Sequence, residues 1–155
     1  MTKSRMLALL VLVAHWMDAV GHLFFAARVL PAPNDHVSWL AVILITSGHL
    51  VVSIALWKLS YRVAGWISLI FFLAALSADL YEHFLHASGN NVFMVASGRW
   101  TTWFDASVVV LLVLEILGCC IGTWLLSGRK RSRNSAPGAS SNINRRSLRL
   151  SARLS

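Results

Sequence analysis

Between Trp39 and Trp57 the chain runs nineteen residues without an aspartate, glutamate, lysine or arginine. At 1.5 Å per residue, a helix of that length covers about 28 Å, close to the roughly 30 Å hydrocarbon thickness of a bilayer. Three further apolar segments, at about residues 6–30, 63–85 and 102–126, are as long or longer. Backbone groups in lipid must be paired within the chain, so these segments are expected to be helices. Only 13% of the chain is charged and 57% is hydrophobic, whereas a soluble domain carries charged residues at about 25%. The expected fold is an all-α integral membrane protein, a four-helix transmembrane bundle over residues 1–128 followed by a disordered basic tail over 129–155. A secretory signal peptide competes for the first segment, because Lys3 and Arg5 lead into LALLVLVA. The apolar character continues past a signal core, however, and stops only at Pro31 and Pro33.

The net charge of +8 suggests nucleic acid until it is located. Residues 129–155 hold eight basic residues and no acidic one, while residues 1–128 hold six of each. The excess therefore belongs to the tail, which has no aromatic side chain on which a base would stack. Nucleic acid is not the expected partner. The tail suits anionic lipid head groups, each basic residue near the surface being worth about 1 kcal/mol. The expected partners are the bilayer itself and either a second copy or another subunit of a membrane complex.

Lysine and arginine also set the orientation. Lys3, Arg5, Lys58, Arg62 and the eight tail residues make twelve on one side, against Arg28 and Arg99 on the other. The positive-inside rule places the twelve in the cytoplasm, giving an N-in/C-in protein of the plasma or inner membrane. Trp39, Trp100 and Trp103 fall near the outer interface, and Trp57, Trp66 and Trp124 near the inner one. Trp16 alone lies deep in a span. Cys119 and Cys120 are adjacent and make no disulfide framework; they read as apolar filler or as palmitoylation sites.

Within the spans stand ionisable residues, each costing about 2.5–3.5 kcal/mol at the bilayer centre. His15, Asp18 and His22 are spaced three and four apart, on one helix face. Asp18 is placed to hydrogen-bond either imidazole. Asp79, Glu82, His83 and His86 follow the same logic in the third segment; His49 lies in the second, and Asp105 and Glu115 in the fourth. By helical rise, His15, Asp18, His49 and Glu115 lie within about 5 Å of the midplane, and the others further out.

Three chemistries suit such a cluster. His15, Asp18, His22, His49, Asp79 and His83 offer imidazole and carboxylate ligands to a metal ion. Bis-histidine ligation of haem b is a second, with Ser47 and Gly48 allowing close approach at His49 and either His15 or His22 facing it. Proton transfer is the third, with Glu82, His86, Asp105 and Glu115 as the path. Polar contacts that merely join helices are the bland alternative. Nucleophile, phosphate-loop and dinucleotide motifs are absent, and Gly118 and Gly122 form a G-x-x-x-G packing motif. The sequence thus points to a small metal- or haem-binding redox or transport subunit. An accessory membrane protein and a membrane-embedded metal-dependent enzyme are the alternatives.

Overall fold

The computed structural model describes residues 2–29, 39–87 and 90–127. The basic tail and its expected disorder lie outside the described residues, as do Pro31 and Pro33. What is described is all helical: α1 (Lys3–Val29), α2 (Trp39–Lys58), α3 (Tyr61–Leu80) and α4 (Thr101–Ser127). α3 runs directly into a π-helical turn, Tyr81–Leu85. Ser60 caps α3, its hydroxyl accepting from Val63 N. By length and composition α1, α3 with its π turn, and α4 are apolar enough to cross a membrane; the apolar part of α2, Val42–Lys58, is shorter.

α4 packs most extensively on α3 and then on α1, while α2 lies against α1 and α3. The buried positions of α1 are Ala8, Leu12, His15, Ala19, His22 and Ala26, alternating steps of four and three. α4 repeats the pattern with Phe104, Ser107, Val108, Leu111, Glu115, Gly118, Gly122 and Leu125. Such a seam is what two long helices present to each other when they pack at a shallow angle. The outward faces carry Leu10, Met17, Ile43, Leu50, Ile70 and Val113, all more than half exposed. A surface of that kind suits hydrocarbon better than water.

Glycines let α3 and α4 approach. A Cβ on Gly122 would lie 3.0 Å from Leu69 Cα and N, and one on Gly65 would lie 3.0 Å from Gly122 O. Gly118 faces the ring of Phe72. The G-x-x-x-G motif is thus a backbone contact between these two helices.

Two ends can be told apart. At one, Arg5 donates to Leu59 O at 2.6 Å and Trp57 O at 3.4 Å, and its guanidinium lies 4.3 Å from the Tyr61 ring centroid. The arginine thereby covers carbonyls left unpaired at the end of α2. Leu126 reaches Gly65 at this same end. The start of α1, the α2–α3 turn and the end of α4 are therefore neighbours. At the other end Phe25 stacks on Trp103 with centroids 6.2 Å apart, and Arg28 lies over Phe24 and Trp100.

The core divides in the same sense. One apolar cluster, Ala8, Leu12, Val52, Ala55, Leu56, Ala64, Phe72 and Leu125, fills the Arg5 end. A second, Ala26, Phe104 and Val108, fills the Arg28 end. Between them lies a layer of polar side chains.

Candidate functional site

The polar layer is built from one face of each helix. His15 on α1 puts Nδ1 2.8 Å from Nε2 of His49 on α2. The other ring nitrogen, Nε2, is 3.3 Å from Oε1 of Glu115 on α4. The carboxyl of Asp79 on α3 is within hydrogen-bond reach of Glu115. Four helices thus contribute one member each to a continuous run, His49–His15–Glu115–Asp79. Glu115 is 0% exposed and His15 3%. Phe71 and Phe72 meet the His15 ring edge-on, and Phe71 does the same to His49.

The partners assign the protons. His49 Nδ1 lies 2.6 Å from Ile45 O; a carbonyl only accepts, so Nδ1–H donates. A neutral His49 then offers Nε2 as an acceptor, and His15 Nδ1–H donates to it. That leaves His15 Nε2 bare in the neutral ring, facing a carboxylate oxygen. The His15–Glu115 contact closes only when it holds a proton, on either the imidazole or the carboxyl. The Glu115–Asp79 contact has the same requirement, because two carboxylates offer no donor. Among the described residues, Oε2 of Glu115 receives no N–H or hydroxyl donor. The run is therefore a hydrogen-bonded line with vacancies for protons at its carboxyl end.

A second group lies one to two turns away. His22 Nδ1 is 2.9 Å from Ser107 Oγ, and Ser107 donates its own proton to Phe104 O at 2.7 Å. The imidazole is thus the donor to Ser107. The rings of His22 and His83 are 4.9 Å apart between centroids and nearly perpendicular. His83 Nδ1 donates to Asn90 O at 2.9 Å, and Val92 N donates to His83 O. Asn91, itself buried, donates to His86 O and accepts from Phe93 N. The segment after the π turn is in this way folded back over His83.

Not every expected residue joins. Asp18 makes no hydrogen bond to His15 or His22: it is half-buried, its Oδ2 has no partner among the described residues, and the imidazoles are engaged elsewhere. Asp79 and His83 turn inward, whereas Glu82 and His86 pair with each other at 3.3 Å on the surface. His86 also stacks on Tyr81. Asp105 is half-buried, its Oδ1 without a partner among the described residues.

Among the described residues, no three His, Cys, Asp or Glu side chains are grouped to hold a metal ion. The His15–His49 separation of 2.8 Å is that of a hydrogen bond. As packed, these two imidazoles are paired with each other rather than set apart around a ligand. Reasoning from the sequence missed Ser107, Asn91 and the Phe71–Phe72 pair. Ser107 was open to detection, since it sits on the α4 seam opposite His22. The role of Asn91 depends on loop geometry and left no periodic trace.

No protein-family model, curated protein or solved structure matches the chain.

Proposed function

We propose that this chain is a four-span membrane protein that takes protons into a buried histidine–carboxyl relay, as a small proton-handling subunit. The observation that carries this is the run His49–His15–Glu115–Asp79, one residue from each helix, with two contacts that close only around a proton. Placing such groups in an apolar interior is costly, and helix joining returns typically only about 0.6 kcal/mol per polar contact. The metal- or haem-binding subunit inferred from the sequence draws less support, because the imidazole nitrogens nearest each other are bonded to one another. In this proposal α2 is the fourth span, matched in length to the bilayer core at 20 residues. The gathering of Arg5, the α2–α3 turn and the end of α4 at one end supports an N-in/C-in orientation with that end in the cytoplasm. The proposed location is the plasma or inner membrane, with the basic tail on anionic lipid.

Infrared difference spectroscopy of the protein in liposomes, stepped between about pH 5 and 8, tests the reading. The wild type should show protonation of a buried carboxyl, and Glu115→Gln should lose that signal while remaining folded. Helix joining predicts otherwise: no such signal in the wild type, and substitutions that change stability alone. Either result of that kind would end the proton reading.

A further inference from the structure

The relay has two ends, and they differ. On the side of the α3–α4 connection, further polar side chains lie beyond Asp79, although among the described residues no hydrogen bond joins them to it: His83, His22 and Ser107, then Asn91, with Asp105, Glu82 and His86 nearer the surface. In the other direction the line stops at His49, whose remaining proton is held by the carbonyl of its own helix, Ile45 O. Beyond it Leu12, Val52, Leu56 and Phe72 close the interior, each at most 3% exposed. The buried hydroxyl on that side, Ser68 Oγ, has no hydrogen-bond partner among the described residues, so no line of donors and acceptors continues through it. Cys119 is only half-buried, and Arg5 turns its terminal nitrogens to the backbone carbonyls of Trp57 and Leu59.

We propose that the relay is a well open on one side: protons enter and leave from the α3–α4 end, and the Leu12–Phe72 layer blocks passage to the other. This rests on the proton-relay reading above. Uptake adds one proton at the His15–Glu115–Asp79 junction, and discharge returns it by the same mouth or hands it to a molecule that reaches the network from within the membrane. The groups facing the junction are His15 and Asp18 of α1, His49 of α2, Asp79 and His83 of α3, and Glu115 of α4.

Such a well senses voltage without conducting. His15 is the thirteenth of 27 residues in α1 and Glu115 the fifteenth of 27 in α4, so a proton reaching them crosses about half the span. Moving one charge through the whole field is worth about 2.3 kcal/mol per 100 mV, so half of it changes the apparent proton affinity about sevenfold per 100 mV.

Full-length protein in liposomes carrying a trapped pH dye, under a potassium diffusion potential, reads steady proton flux. Infrared spectra of the same vesicles read protonation. The wild type should titrate but conduct no faster than empty vesicles. Phe72→Ala and, separately, Leu12→Ser should add steady flux, and Glu115→Gln in either background should remove it. Two layer variants are used so that loss of the fold in one leaves the other to decide. A wild type that conducts steadily would overturn the one-sided well. So would folded layer variants that titrate and still do not conduct. A wild type that neither titrates nor conducts would remove the relay reading itself, and the well with it.

Discussion

Ser107 has one hydroxyl proton and two partners. Because Phe104 O takes the proton, the hydroxyl oxygen is left to accept from His22. Ser107→Ala removes the only acceptor for His22 Nδ1 among the described residues while changing little volume. Leaving a buried donor unpaired costs about 1–3 kcal/mol. The expected outcome is a loss of stability of that size, read by unfolding in mixed micelles at rising denaturing detergent; a loss below about 0.5 kcal/mol would mean that the bond contributes nothing. At this scale the sequence was informative where residues fall on a seam. His15 and His22 lie at seam positions of α1, and Glu115 lies at one of α4, which is why their burial followed from spacing. Asp18 shares a helix face with the two histidines but sits one step beside seam residue Ala19. Spacing alone therefore overstated its contact with them. Which imidazole nitrogen meets which partner depends on the rotation of neighbouring helices, and no pattern along one chain encodes that.

Among the elements, α3 and α4 are held closest, and their glycines show it. Gly122→Leu would drive a side chain into the backbone at Leu69, where even a Cβ would lie at 3.0 Å. Overpacking of this kind costs about 1–3 kcal/mol. Gly21 provides the contrast, because a Cβ there would meet nothing within 4 Å, and alanine is favoured over glycine inside a helix by about 1 kcal/mol. Gly122→Leu should lower the unfolding midpoint in the same detergent titration, and Gly21→Ala should leave it unchanged or raise it. A gain at both positions would show that helix propensity, not close approach, governs these sites. The G-x-x-x-G spacing marked Gly118 and Gly122 as a packing contact beforehand, but not that α3 is the partner. The end of α3 was not legible. Asp79, Glu82, His83 and His86 fall on one face of a regular helix, but the π turn at Tyr81–Leu85 changes the angular step. Asp79 and His83 are thereby directed inward, while Glu82 and His86 are left outside. Nothing in YEHFL, which has neither glycine nor proline, marks that change.

For the whole molecule, the four apolar segments read from the sequence correspond to four helices, with ends within a few residues of those expected. The long uncharged runs made this possible, since few other elements accommodate them. The orientation in a membrane rests on the distribution of lysine and arginine, and a direct measurement is available. A reporter fused after residue 128 should be found in the cytoplasm, and a tag within residues 86–99 should be labelled from outside intact cells. A C-terminus labelled from outside would remove the four-span arrangement. The order in which the polar groups occur along the chain also bears on biosynthesis. His15 and His49 belong to the first two helices, so an emerging helical hairpin already contains a matched pair. Asp79 follows on the third. Glu115, the most deeply enclosed of the four, comes last in the chain, after the histidine whose imidazole it faces. The order of synthesis thus places the most enclosed group after the residues that line its site.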